Sequence, residues 1–201
     1  MSETHIQLNH PNKYSTSSTS RNAPPSVAWL TSTPWTVTHS TLSMWRSARN
    51  VRIRYTALPS RTSDGGRARL DDLVEYEPKN SDGVRKTVEG VDTQADDGDA
   101  GGWDWRGKRW LCFVSSHWEV LGWGEEQSPG GEVERWAVTW FAPTTFTKEG
   151  LDVYCDRREG LSESTYGRVR EALGKLEVPK LVAMVEEHMQ PVEIRLPWVE
   201  G

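Results

Sequence analysis

At 201 residues the chain is long enough for one domain with a real core and too short for two. Its net charge of −5 comes from 24 basic and 29 acidic residues mixed along the sequence, which leaves no basic stripe to track a phosphate backbone and argues against nucleic acid as a partner. No apolar run reaches the roughly 18 residues of a membrane span, and no signal pattern opens the sequence, so the expectation is a soluble cytoplasmic protein. Cys112 and Cys155 lack CxxC spacing and read as two reduced, buried thiols; with five scattered histidines they give no zinc pattern, so neither metal nor cofactor is expected.

Residues 1–26 carry a Ser/Thr-rich stretch and Pro24-Pro25 with little apolar content, and are expected to form a disordered tail ahead of a single domain over 27–201. From Trp29 onward apolar residues come in short alternating bursts. Val51, Ile53, Tyr55 and Ala57 share one face of a predicted strand, and Arg52, Arg54 and Thr56 share the other. Two further strands are predicted at Leu70 to Tyr76 and Val84 to Val91, with the turn-rich Pro78 to Gly83 between them. The acidic, glycine-rich segment Asp96 to Gly102 reads as an exposed loop, because the spaced ligands and closing Glu of a calcium-binding EF-hand are missing.

Seven of the eleven tryptophans fall between Trp103 and Trp140, across the clearest strand patterning. Trp105 precedes a turn at Arg106 to Lys108; Trp110 to Leu121 is apolar on both faces, as in one strand buried on both sides or two strands broken near Ser115. Gly122 to Gly131 reads as a loop, Glu134 to Phe141 as a strand with Trp136, Val138 and Trp140 on one face, and Leu151 to Cys155 as a short strand. The period then becomes helical: Tyr166, Val169, Leu173 and Leu176 follow Ser162 as N-cap, and a second helix starts at Pro179 and ends before Pro191. Val192, Ile194 and Leu196 alternate as a last predicted strand. About eight or nine strands with late helices give a mainly β (α+β) class, an antiparallel barrel or sandwich.

The blocks Trp35 to Trp45, Asn50 to Tyr55, Arg69 to Tyr76, Trp103 to Gly107, Ser116 to Val120 and Phe146 to Asp152 resemble those of a group of uncharacterised fungal proteins with a lipocalin-like (calycin) β-barrel. The resemblance spans most of Trp35 to Leu176. It implies an up-and-down barrel of eight to ten strands around a cavity, a fold used for apolar ligands and, in some fungal biosynthetic pathways of secondary metabolism, for cofactor-free cyclisations.

Several side chains are candidates for such a cavity. Trp105, Trp118, Trp136 and Trp140 are expected to supply stacking walls, with the Tyr154 hydroxyl fixing ligand orientation; each of these tryptophans also suits an ordinary core. His117 and Glu119 share a strand face opposite Trp118, so an imidazole and a carboxylate stand together and can move a proton; alternatively His117 is hydrogen-bonded into the wall. His39 either reaches the barrel mouth or caps a loop. Arg54 and Asp72 need charge partners or a bound group if they point inward, and Arg52 is expected on a solvated outer wall.

The leading expectation is binding of a small, largely apolar molecule, aromatic, polyketide-like or terpenoid-like, in a Trp-lined pocket. An alternative is a cofactor-free isomerase or cyclase in which His117, Glu119 or Tyr154 transfers a proton, and a third is an interaction module with a filled barrel. The partner is a small apolar ligand or substrate, with neither nucleic acid nor membrane, and with a homodimer left open. No GxSxG elbow, Walker loop, dinucleotide fingerprint or HExxH occurs, which ranks covalent hydrolysis, phosphoryl transfer and hydride transfer low.

Overall fold

The computed structural model describes residues 5–15, 21–96, 101–145 and 147–200. Eight antiparallel strands form the barrel: β1 (Trp35–Ser40), β2 (Ala48–Leu58), β3 (Arg69–Pro78), β4 (Lys86–Gln94), β5 (Gly102–Gly107), β6 (Ser115–Gln127), β7 (Val133–Phe141) and β8 (Gly150–Cys155). Each pairs with its successor, and β1 pairs with both β8 and β2, so the sheet closes on itself. Of the barrel or sandwich expected from the strand pattern it is the barrel, with the up-and-down order that the lipocalin-like resemblance implies, and closure leaves none of its eight strands as a free edge. The two-residue β9 (Gln190–Pro191) adds to β1 outside the ring. No helix among the described residues is long and apolar enough to cross a membrane.

Two apolar cores follow from the alternation. Inside the ring lie Trp35, Val37, Val51, Ile53, Tyr55, Leu70, Trp103, Trp118 and Val120. Outside it, Trp136, Val138 and Trp140 of β7 and Leu151 and Val153 of β8 pack against Val169, Leu173, Leu181 and Val185. Those last four sit on α2 (Glu163–Gly174) and α3 (Pro179–His188), which cover that side of the wall. Ser162 caps α2 by accepting from the Thr165 amide at 3.3 Å, and Pro179 opens α3 where its missing N–H costs nothing.

One barrel end is plugged from the N-terminal side. The short helix α1 (Val27–Leu30), capped by Ser26, brings the Leu30 carbonyl to the Trp35 indole N–H at 2.8 Å, and Trp29 packs between Trp35 and Trp123 at centroid distances of 4.6 and 5.0 Å.

The described parts of the expected tail take an ordered path. The Asn9 amide donates to the Leu121 carbonyl at 2.6 Å, and the Asn12 amide donates to both Glu119 oxygens at 3.0 and 2.9 Å. Polar backbone and side-chain contacts hold this segment while Ile6, Leu8 and Tyr14 pack against the outer core; three scattered apolar side chains are too few for composition to read as structure. Residues 1–4 and 16–20, the 97–100 part of the acidic loop, and Phe146 lie outside the described residues.

Other expectations shift. The apolar run from Trp110 begins as a loop with a 3-10 turn at Arg109–Leu111, and β6 starts only at Ser115, then runs through the predicted loop to Gln127. Cys112 is therefore exposed in that loop, whereas Cys155 is buried. The last predicted strand is replaced by an extended segment that crosses the outside of β2 and β3. It covers Arg52, which is buried rather than solvated, pairs with Glu75 at 3.3 Å and Glu77 at 3.7 Å, and donates to the Val199 carbonyl at 2.8 Å.

Candidate functional site

The half of the barrel away from α1 holds a cavity of about 650 Å³, within the range of small-molecule sites. Its walls are the inward positions of the strands: Ile53 and Tyr55 of β2, Asp72, Val74 and Tyr76 of β3, Val88 of β4, Trp105 of β5, Ser116 and Trp118 of β6, Phe141 of β7, and Asp152 and Tyr154 of β8. Its rim is built by the loops that join strands at this end, through Met44, Trp110, Leu111, Thr144 and Thr147. Trp110 and Met44 are 75% and 45% exposed, so the rim is apolar and faces solvent. The floor is a stack in which Trp118 lies between Tyr55 and Trp103, with centroids 5.7 and 5.9 Å apart and ring planes within about 17°.

Three buried carboxyls stand in or behind this wall, each beside an indole N–H. The Trp118 N–H donates to Asp92 Oδ1 at 2.8 Å, and the Trp45 N–H donates to Asp152 Oδ2 at 3.3 Å. The Trp105 indole N–H is the third, and its proximity favours the ionised form of the Asp72 carboxyl. Gly90 makes that third arrangement possible: a Cβ there would come within 2.0 Å of Trp105 Nε1, so only glycine lets the indole lie across β4 toward Asp72 on the neighbouring strand. Ser40 also donates to Asp152. Among the described residues, Asp72 Oδ1, Asp92 Oδ2 and the Tyr154 hydroxyl have no hydrogen-bond partner.

Burial dominates the electrostatics. It pushes Asp72 well above the usual carboxylate range, with Asp92 and Asp71 adding to the shift and the Trp105 N–H and Lys108 opposing it. Asp92 and Asp152 are each pushed up to about 7 by the same desolvation, partly offset by their indole donors. Tyr55 and Tyr154 are raised well above the ordinary phenol value, again by burial first.

Of the residues singled out from sequence, Trp105, Trp118, Asp72 and Tyr154 line this cavity. Trp136 and Trp140 lie on the outer face beneath the helices. His117 and Glu119 are also outside the ring: His117 Nδ1 is 2.8 Å from Asp104 and its Nε2 is 3.5 Å from Glu119, which raises the imidazole to about 9, with Glu119 the larger cause. Glu119 is in turn covered by the N-terminal segment and Arg21. His39 stacks on Tyr166 of α2 at 3.4 Å, and burial beside Arg170 lowers it to about 4. Arg54 is exposed on the outer wall. The cavity residues that sequence reading passed over are Tyr55, Asp152, Trp45 and, behind the wall, Asp92. The period-two sets Ile53/Tyr55, Val88/Gly90/Asp92 and Gly150/Asp152/Tyr154 carried the signal.

No family model matches the chain, and no curated protein does. Among solved structures, lobster apocrustacyanin A1 resembles it over 81% of this chain and 77% of its own, with a TM-score of 0.49 and 7% sequence identity. So distant a likeness says nothing about what this barrel holds, and the case for a ligand rests on the cavity. Among the described residues no group of three or more His, Cys, Asp or Glu is arranged to hold a metal ion.

Proposed function

We propose that this protein binds a small, largely apolar molecule with an aromatic portion, held inside the barrel between Trp105, Trp118, Tyr55 and Tyr76. The observation that carries the reading is the cavity of about 650 Å³, lined by aromatic and aliphatic side chains and bounded by an apolar rim. Aromatic rings offer stacking surface at small conformational cost, and the few polar atoms in such a wall set the pose of what enters. A barrel whose role was to present a filled, rigid surface would have no reason to leave this volume beside unpartnered hydroxyl and carboxyl oxygens. Of the three residues considered for proton transfer, only Tyr154 reaches the cavity, so the reading is one of binding.

The test is quenching of tryptophan fluorescence by a neutral aromatic probe such as N-phenyl-1-naphthylamine. Saturable quenching is expected in the wild-type protein. Val88→Phe, which places a ring in the cavity without adding a polar group, is expected to weaken it at least about tenfold while the thermal midpoint stays within a few degrees. Equal binding by the variant would place the probe elsewhere, and no saturable binding to the wild type would remove the proposal.

A further inference from the structure

The charge inventory of the cavity is one-sided. Asp72 and Asp152 line it and Asp92 stands directly behind Trp118, while among the described residues the only basic side chain in the lining is Lys86, exposed at the rim. No arginine or histidine lines it. An anionic ligand would meet buried acids without an inward cation. A purely apolar ligand would leave the Asp72 carboxyl, which lines the wall and whose buried Oδ1 has no partner among the described residues, without a donor.

The aromatic groups have the same sign. The indole N–H groups of Trp45 and Trp118 donate to Asp152 and Asp92, and that of Trp105 lies near enough to Asp72 to favour its ionised form. With those edges engaged, the rings offer the cavity mainly their π surfaces, which attract cations through the ring quadrupole.

We propose that the molecule bound in the barrel carries a protonated nitrogen, seated against the aromatic walls with its N–H donated to Asp72. This rests on the reading of the cavity as a binding site and narrows its ligand to aromatic amines of basic character. The groups around Asp72 fit that role. Tyr55 on β2, Tyr154 on β8 and Asp92 on β4 are acids or neutral phenols, Asp71 is its own neighbour in sequence, and Lys108 acts from the β5–β6 loop while itself paired to Asp71. Among the described residues no inward cation neutralises the carboxyl, and burial favours its protonated form. An ammonium group supplies both the missing charge and the missing donor, and the proton on Asp72 leaves to solvent as the cation enters.

The decisive experiment compares 2-(1-naphthyl)ethylamine with the near-isosteric 2-(1-naphthyl)ethanol by isothermal titration calorimetry of the full chain at pH 7, in two buffers of different ionisation enthalpy. The amine is expected to bind at least about tenfold more tightly than the alcohol, and to release protons on binding, seen as a buffer-dependent enthalpy. Asp72→Asn is expected to bring the two affinities within about threefold and to abolish proton release; if that variant does not fold, the wild-type preference and proton release decide alone. Equal affinities, or tighter binding of the alcohol, would overturn the cationic ligand and leave the cavity a binding site for neutral molecules. Failure of both compounds to bind would overturn this proposal together with the reading it rests on.

Discussion

At Asp152 the cost of an acid inside a barrel becomes measurable. Burial pushes its carboxyl up to about 7 despite hydrogen bonds from Ser40 and Trp45 and the nearby Arg46, whereas in an unfolded chain an Asp ionises near 3.9. The folded state therefore keeps a proton that the unfolded state has lost. The stability tied to that proton is fully present below about pH 4 and is lost as pH rises through about 7. Asn at this position keeps the shape and one acceptor oxygen without the titration. Between pH 5 and pH 8 the wild type is expected to lose about 2 kcal/mol more stability than Asp152→Asn, measured by urea unfolding at both pH values. His117, raised to about 9, also loses its contribution as pH rises from its unfolded value. His39, lowered to about 4, loses its contribution as pH falls. Both are present in wild type and variant, so the difference between the two proteins isolates Asp152. Identical pH dependence would mean that the carboxyl is ionised when folded.

At the scale of elements, the outer face of β6 shows how a mostly polar segment is held by hydrogen bonds beside the few apolar contacts of Ile6, Leu8 and Tyr14. Glu119 is 1% exposed because residues 9–12 and Arg21 cover it, and its two oxygens take the Asn12 amide from outside while one faces His117. Glu119→Ala is expected to speed hydrogen exchange at the Asn12 amide at least about tenfold and to drop the His117 pKa from about 9 toward its unperturbed 6.5 in an NMR titration. Unchanged exchange would assign the docking to the Asn9 amide on the Leu121 carbonyl instead. Such contacts have no period, so composition reads the segment as unstructured; both late helices and most strands are legible, because alternation, the Ser162 cap and Pro179 in a first turn are local, whereas the start and length of β6 and the segment after α3 are not. Which strand face points inward is not local. On β7 the face bearing Trp136, Val138 and Trp140 is the more apolar, yet it turns outward, because α2 and α3 supply a second core there. Asp72 stands out in sequence as an acid on an apolar face; Asp92 and Asp152 lie on comparable period-two faces, but their indole partners come from elsewhere in the chain, Trp118 of β6 and Trp45 of the 3-10 turn between β1 and β2.

For the molecule as a whole, the two barrel ends differ in kind. Trp29, Trp35 and the Leu30 carbonyl plug one, and the apolar rim of Met44, Trp110 and Leu111 surrounds the other. A ligand should therefore enter past the loop over 108–114. That loop carries its own reporter, for Cys112 is a free, exposed thiol between Leu111 and Phe113. Cys155 is buried and burial pushes its thiol up to about 12, so it stays protonated and unreactive under conditions that label Cys112. A bulky maleimide is thus expected to modify the folded protein at one site. Stopped-flow quenching should then show the association rate of N-phenyl-1-naphthylamine reduced by about tenfold or more in the labelled protein, with dissociation slowed alongside, since a screen at the mouth hinders passage both ways and alters neither cavity nor floor. A change in affinity with unchanged association would instead place the label against the bound molecule. Unchanged kinetics in both directions would mean that the cavity is reached from the side of α1, and that the plug, not the rim, is the part of this barrel that opens.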